Sequence, residues 1–135
     1  MYFFEFGINP VAASRPRVTR YGTYYGKKYT HFRKEGEKVV DEELSSRRSR
    51  CRLPLLSDLS VTLEFNVLKP KTSKLEYPRP DIDNYLKAIF DLLNEKLYND
   101  DRQVIHVEAT KKFVLDSPSI KLWVKKYVDH KKAAQ

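Results

Sequence analysis

The residue types with the clearest capacity for chemistry lie in two short segments, 79–87 (RPDIDNYLK) and 99–104 (NDDRQV). The prolines on either side of Arg79 disfavour helical backbone before them, so the chain enters the first segment extended. In an extended chain Asp81 and Asp83 point to the same side, because successive side chains alternate. Two such carboxylates repel each other unless a cation lies between them. Mg²⁺ suits the pair, because it takes oxygen ligands and keeps positions for water and phosphate.

This aspartate pair and the lysine after it also have structural explanations. Asp83 could be the N-cap of a helix that begins there, a position that aspartate often occupies. Lys87 follows Asp83 by one helical turn, and Asp91 follows Lys87 by another, so all three share one helix edge. They could form a ladder of surface ion pairs, or Lys87 could stabilise negative charge on a reacting phosphate. Both interpretations stay open at this point.

A second acidic pair, Asp100 and Asp101, follows the same helix and precedes a strand. Adjacent acids in a turn are usually solvated. In a compact domain, however, the next strand could lie beside the start of the helix and return this pair towards Asp81 and Asp83. The chemical interpretation therefore expects the two acidic segments to converge.

The formal net charge of +8 is a separate indication, because the basic residues are clustered. Such a charge attracts polyanions, since each phosphate neutralised by lysine or arginine releases counterions. Charge that only maintains solubility is the alternative. In segment 14–29 the basic residues alternate with tyrosines, which could stack on exposed bases or cover the edge of a sheet. The residues predicted to contact nucleic acid are Arg15, Arg17, Arg20, Lys27, Lys28, Lys71, Lys74 and Arg79.

Hydrophobic periodicity predicts the elements that must position these groups. The predicted strands are residues 2–8, 59–68, 103–113 and 119–127, and the predicted helices are residues 30–46 and 83–97. Thr30 could cap the first helix, although Gly36 weakens it. The turn signal at 116–118 predicts that the last two strands form an antiparallel hairpin.

The order strand, helix, strand, helix, strand, strand predicts a single α+β domain with one mixed sheet of about four strands and two helices. Residues 9–30 would be an irregular basic arm or a bent hairpin, and 128–135 a frayed tail. No apolar run reaches the roughly 20 residues of a membrane-spanning helix. The start lacks the features of a signal peptide, and the single cysteine, Cys51, excludes an internal disulfide. These features predict a cytoplasmic protein.

Between residues 79 and 112 the sequence resembles the RusA family of Holliday junction resolvases, which phages and prophages often encode. The residues that carry the resemblance are Arg79, Asp81, Asp83, Asn84, Lys87, Phe90, Asp91, Asn99, Asp100, Asp101, Gln103 and Val104. The segment Arg15-Pro16-Arg17 is also similar to many family members. The chain departs from some members at Pro80, where they carry a basic residue; here Arg79 lies one position further back.

The resemblance implies a RusA-like fold and an endodeoxyribonuclease that depends on Mg²⁺, with Mn²⁺ as a substitute. It implies a homodimer that resolves four-way junctions and related branched DNA by paired symmetric nicks, in DNA recombination and repair. The implied metal ligands are Asp81, Asp83 and Asp101, with Lys87 also catalytic and with Asn84, Asp91 and Asp100 as secondary candidates. The basic residues named above would then contact DNA.

Three other interpretations remain. A non-catalytic nucleic-acid-binding module would share the basic residues, but its clustered acids would repel phosphates unless a metal intervened. A nuclease of the PD-(D/E)xK type fits Pro80-Asp81, whereas the segment from Glu108 to Lys111 has one residue too many for the second motif. A family member without activity could serve a structural role.

Overall fold

In a computed structural model of the protein, residues 1–24, 26–47 and 51–129 are described. The helices and strands, in chain order, are β1 (Tyr2–Phe6), β2 (Arg17–Thr19), β3 (Gly22–Tyr24), α1 (Lys27–Ser46), β4 (Leu59–Leu68), α2 (Ile82–Leu93), β5 (Val104–Val114) and β6 (Ser119–Lys126). A 3₁₀ turn, Asp101–Gln103, precedes β5. The predicted tail falls mostly on residues 130–135, which lie outside the described residues; Val128 and Asp129 have no regular secondary structure.

One mixed sheet, with strand order β1-β6-β4-β5, forms the centre of the fold. β6 is antiparallel to both β1 and β4, and β4 is parallel to β5, so β1, β4 and β5 all run in one direction. The four predicted strands are present, with ends displaced by no more than two residues. This four-stranded mixed sheet, with two helices in the described part, confirms the predicted α+β class.

The apolar core lies against one face of the sheet. In β4, Leu63 and Phe65 are at most 1% exposed, whereas the alternate residue Thr62 faces solvent. α1 packs against β1, and α2 packs against β5. Each helix connects two strands that run in the same direction, and such connections are almost always right-handed. Both crossovers proceed the same way along the sheet, so both helices cover the same face.

The topology brings the starts of both helices to one end of the sheet. Each helix returns against the strand direction, so α1 and α2 begin where β1, β4 and β5 finish. We call this the carboxyl end of the sheet, marked by Phe6, Leu68 and Val114, and the opposite end the amino end. The helices therefore run side by side in the same direction. In agreement, the Asp41 carboxylate near the finish of α1 lies 2.9 Å from Lys96 Nζ, just past α2.

The predicted hairpin of the last two strands is wrong. β4 lies between β5 and β6, and residues 115–118 cross its end to connect them. The turn signal indicated correctly that the chain reverses, but a turn carries no information about which strand each arm pairs with. β4 is buried at every inward position from Leu59 to Val67. A strand this apolar is best covered at the centre of the sheet, with a neighbouring strand on each side.

The helix boundaries also differ from the prediction. α1 begins at Lys27 with Gly26 at its N-cap, so Thr30 lies inside the helix and does not cap it. The Thr30 hydroxyl donates a hydrogen bond to the Gly26 carbonyl oxygen at 3.0 Å, a bond that threonine often makes within helices. α2 ends four residues before its predicted end, because Asn94 leaves the helical conformation with ψ of 133°. Glu95 then takes a left-handed conformation with φ of 66°.

Of the two alternatives for residues 9–30, the structure contains the hairpin. β2 and β3 pair antiparallel, and Gly22 begins β3 with φ of 129°, a value that glycine adopts without strain. The Tyr21 amide donates to Thr19 Oγ1 at 3.2 Å within the turn. Because α1 follows the hairpin almost directly, the hairpin lies at the carboxyl end of the sheet.

Gly36 lets α1 approach α2 closely, a role that its low helix propensity does not reveal. A Cβ atom built on Gly36 would lie 2.6 Å from Leu92 Cδ1. We expect Gly36→Leu to lower the free energy of unfolding by about 1–3 kcal/mol, because the added carbons overpack this interface. Urea denaturation would measure the loss against Glu37→Leu, an exposed neighbour. Equal stability of the two variants would rule out the packing role.

Candidate metal and DNA-binding site

Asp81 and Asp83 lie at the start of α2, at the carboxyl end of the sheet. Asp81 occupies the N-cap position with φ of −65° and ψ of 145°, but its side chain makes no capping hydrogen bond. Asp83 lies within the first turn, so it is not the N-cap that the sequence allowed. Both are exposed, and neither has an ion-pair partner within 4.0 Å among the described residues. Both carboxylates are therefore available to a ligand.

Two neighbouring segments hold the backbone around this pair. Lys111 Nζ on β5 donates to the Pro80 carbonyl oxygen at 2.8 Å, and the Ala13 amide donates to the Asn84 carbonyl oxygen at 2.9 Å. Proline also restricts its own φ, so the approach to Asp81 is rigid. The sequence suggested no role for Lys111, and no local motif could reveal a contact between residues 31 positions apart.

Lys87 and Asp91 follow Asp83 along the exposed side of α2. All three side chains face solvent, while the buried residues of the helix lie on its other side. The ladder of ion pairs that the sequence allowed is not formed, since Lys87 has no acidic partner within 4.0 Å in the described chain. Lys87 is one helical turn from Asp83, about 6 Å along the axis. It therefore presents an unpaired cation near the aspartate pair.

Asp100 and Asp101 lie at the amino end of the sheet, between α2 and β5. Asp100 is the N-cap of the 3₁₀ turn, and its Oδ1 accepts a hydrogen bond from the Arg102 amide at 2.9 Å. Gln103 completes a capping box, because its Oε1 accepts from the Asp100 amide at 3.1 Å. The spacing Asp-x-x-Gln signals such a box, although hydrophobic periodicity overlooks it. The Asp101 amide donates to Asn94 Oδ1 at 3.0 Å, which ties the turn to the end of α2.

Negative charge is concentrated around Asp101. Burial raises the pKa of Asp101, and a hydrogen bond with Asp100 and the charges of Asp100 and Asp91 raise it further. The pKa of Asp100 is lowered, chiefly by the hydrogen bond from the Arg102 amide and then by its bond with Asp101. The pKa of Tyr98 is raised, first by burial and then by the same three carboxylates. The charges of Asp91, Asp100 and Asp101 thus act together on Tyr98 near the amino end.

Within one chain, the structure does not bring Asp101 to Asp81 and Asp83. The described residues contain no group of three Asp, Glu, His or Cys side chains placed to hold a metal ion. Lys111 is the residue of β5 that lies beside the start of α2. The Asp101 amide instead bonds to Asn94, just past the other end of that helix. Asp81 and Asp83 are exposed carboxylates of the kind that Mg²⁺ binds together with water and phosphate. The extended backbone expected to point both to one side stops at Asp81, because α2 begins at Ile82.

The residues predicted to bind DNA all lie in connections that meet at the carboxyl end. They fall between β1 and the first turn of α1, or between β4 and α2. In sheets with helical crossovers, ligands bind beyond the carboxyl ends of the strands. Both helix starts there also carry the positive end of the helix dipole. The predicted residues with described side chains are all exposed, and they are Arg15, Arg20, Lys27, Lys28, Lys71, Lys74 and Arg79. The side chain of Arg17 lies outside the described part.

The fold and the site together define an α+β protein in which two exposed aspartates, without capping bonds, lie at the same end of the sheet as the basic segments before α1 and α2. Neither helix in the described part has the length and apolar composition needed to cross a membrane. Residues 7–125 match the family described as Endodeoxyribonuclease RusA. The chain belongs to the RusA family, which confirms the resemblance seen in the sequence.

A shorter similarity links the chain to the uncharacterized protein YqaN of Bacillus subtilis (strain 168). The two are 34% identical over 62 residues. The matched segment covers 46% of this chain and 39% of YqaN, so this chain spans well under half of that relative. The similarity therefore concerns a segment of YqaN and not the whole protein.

Proposed function

We propose that the protein is a Mg²⁺-dependent endodeoxyribonuclease that resolves four-way DNA junctions and related branched DNA. The observation that carries this proposal is the exposed Asp81–Asp83 pair, which has no capping bond and no ion-pair partner in the described chain. It lies at the same end of the sheet as the basic connections. Carboxylates on a DNA-binding surface repel phosphates unless a cation lies between them. Family membership supports DNA as the substrate.

Asp81 and Asp83 would hold the ion, with Mn²⁺ as a substitute for Mg²⁺. Asp101, the third ligand that the resemblance implies, lies beside Asn94 at the other end of α2. The ion would lower the pKa of a coordinated water and neutralise charge on the phosphate. The chain's own contributions are orientation and charge. Lys111 and the ring of Pro80 keep the pair in place. Lys87 stabilises the negative charge that develops on the phosphate oxygens.

A homodimer suits this substrate, because a four-way junction must be cut at two equivalent places. A twofold interface presents two identical sites in a symmetric arrangement. Paired nicks would separate the junction into two duplexes, as recombination and repair require. The resemblance also supports a phage or prophage origin.

The alternative is a non-catalytic DNA-binding module. It would use the same basic residues, but it gives no reason for two carboxylates at the carboxyl end of the sheet that have no ion-pair partner in the described chain. The two functions differ in their products, because a module would bind branched DNA and leave every strand intact.

The decisive experiment is incubation of the purified protein with a synthetic four-way junction and with a linear duplex of matched sequence. Each substrate is tested with Mg²⁺, with Mn²⁺ and with EDTA. We expect symmetric nicks in the junction with either metal, and intact strands with EDTA and in the duplex. Tight junction binding with no cleavage in either metal would favour the module.

The basic connection before α1 should govern the salt dependence of DNA binding. Replacing Arg15 and Arg17 together by alanine should weaken binding and reduce the slope of log affinity against log salt by about 2, because two phosphate contacts are lost. Fluorescence anisotropy with a labelled junction measures this slope. The matched control is Lys125→Ala with Lys126→Ala, a pair of exposed cations at the amino end. An unchanged slope in the arginine variant would remove these residues from the DNA interface.

A further inference from the structure

A groove lies between α1 and the segment that follows β1, and its floor is apolar. Its volume is about 650 Å³, within the range of roughly 300–1,000 Å³ that is typical of pockets for small organic ligands. The apolar side chains that line it are Ile8, Val11, Phe32 and Val39. Phe32 is buried, whereas the other three are only partly covered by the described protein. The groove therefore presents apolar surface that the described fold leaves open.

The rim of this groove is basic. Lys27 and Lys28, in the first turn of α1, line it together with His31, and all three side chains are exposed. Neither lysine has an acidic partner within 4.0 Å among the residues described. Glu35, an acid that also lines the groove, lies 3.8 Å from Lys38 Nζ, which balances part of its charge. The rim therefore complements a phosphate group, while the floor complements an uncharged ring.

Asn9 adds a fixed hydrogen-bond donor to the lining of the groove. Its Oδ1 accepts a hydrogen bond from the Leu68 amide at 2.9 Å, and this bond fixes the orientation of the side-chain amide. The amino group of Asn9 has no acceptor in the part of the chain that the structure describes. Nucleobases carry carbonyl oxygens or ring nitrogens that accept such a bond. A nucleobase would therefore satisfy both the apolar floor and this donor.

The groove and the aspartates at the start of α2 are connected through residues 9–13. Val11 lines the groove. Two residues further along, the Ala13 amide donates to the Asn84 carbonyl oxygen at 2.9 Å, directly after Asp83. Two residues of chain span at most about 7 Å, so the near end of the groove lies close to the start of α2. A DNA strand with a phosphate at the aspartates can therefore reach the groove with a neighbouring nucleotide.

We propose that the groove binds one unstacked nucleobase of branched DNA, while Lys27 and Lys28 contact the phosphate of the same nucleotide. The proposal rests on the proposed function and names the feature of the substrate that the protein recognises. Extrusion of a base costs least where the base is mismatched or already unpaired, and a branch point interrupts the stacking of the paired strands. Contact through the flat face of a base tolerates any sequence. The groove therefore recognises that a base is free, and this distinguishes branched DNA from a linear duplex.

An unpaired nucleotide at the branch point tests the groove without any measurement of cleavage. A labelled four-way junction with one unpaired nucleotide at its branch point is compared with the fully paired junction by fluorescence anisotropy in EDTA. We expect the wild type to bind the unpaired junction about tenfold more tightly, because the base enters the groove without first losing its partner. Equal affinity for the two junctions would overturn the proposal.

Val39→Trp should abolish this preference, because the indole ring fills the floor of the groove without changing its charge. The matched control is Ser45→Trp, which places the same ring at an exposed position near the finish of α1 and should keep the preference. Circular dichroism would show that both variants are folded. A Val39→Trp variant that is folded and keeps the full preference would overturn the role of the groove.

Asn9→Asp tests the donor with a smaller change to the groove. The variant keeps an oxygen for the Leu68 amide and replaces the amino group by a second oxygen, which repels the acceptor atoms of a base. We expect the preference for the unpaired junction to fall about threefold, the value of one lost hydrogen bond. An equal loss of affinity for both junctions would show that the new charge only repels DNA as a whole, and would count against the contact with a base.

Failure of this proposal and failure of the proposed function give different results. A wild type that binds no junction would refute the proposed function. A wild type that binds and nicks the junction, but does not prefer the unpaired nucleotide, would overturn the base-binding groove alone. A change of mass in sedimentation equilibrium for Val39→Trp, with the preference retained, would also overturn it and would identify the groove as a contact between copies of the chain.

Discussion

Asp83→Asn is expected to lower the rate of junction cleavage about a thousandfold and to leave DNA binding intact or slightly tighter. The substitution keeps the size of the side chain and removes its charge, so the metal loses a ligand while the DNA phosphates lose a repulsive neighbour. Folding should not change, because Asp83 is exposed and caps no helix. Single-turnover cleavage in Mg²⁺ and anisotropy in EDTA separate the rate from the affinity.

The control for this prediction is Asp116→Asn, an exposed acid in the connection between β5 and β6 at the same end of the sheet. It removes one negative charge near the DNA without touching the aspartate pair. Its cleavage rate should match the wild type. If Asp83→Asn retained the wild-type rate, Asp83 would have no part in the mechanism.

Lys87→Ala should lower the cleavage rate about a hundredfold with little change in affinity. The Lys87 ammonium is exposed and has no acidic partner in the described chain, so it is available to interact with a phosphate. A cation that acts on developing phosphate charge affects the transition state more than the bound ground state. Rates at saturating protein, with dissociation constants measured separately, provide the comparison.

Two further variants make the Lys87 result specific. Lys34→Ala removes an exposed cation of α1 and should leave the rate unchanged. Lys87→Arg keeps the charge and should recover part of the lost rate. Equal losses of rate and affinity in Lys87→Ala would show that the residue only binds DNA.

The strands and helices were largely predictable, because an element buried on one side carries apolar residues at a regular short spacing. The alternation of 59–68 predicted β4 with its observed bounds. The inward side of α2 was less predictable: Tyr85 is buried with its ring 5.4 Å from that of Phe65, whereas Leu86 and Phe90 are only half-buried. Periodicity cannot separate a tyrosine that packs on a sheet from one that faces solvent, since its ring suits both environments.

The candidate site was predictable in its local part and not in its long-range part. The prolines and the two-residue spacing predicted Asp81 and Asp83 as metal ligands, and the structure leaves both carboxylates exposed and without a capping bond. The expected return of Asp101 towards them depended on which end of β5 lies beside the start of α2. The parallel pairing of β4 and β5 places Lys111 there instead.

Residue types and their spacing over two to four positions were enough to establish the charge, the α+β class and the short segments that carry acids and cations. These properties depend on near neighbours in the chain. The strand order β1-β6-β4-β5, the common end at which α1 and α2 begin, and the helix length between Asp83 and Asp101 emerge only in three dimensions. They result from competition among whole strands for partners in one sheet, and no local pattern encodes contacts between distant residues.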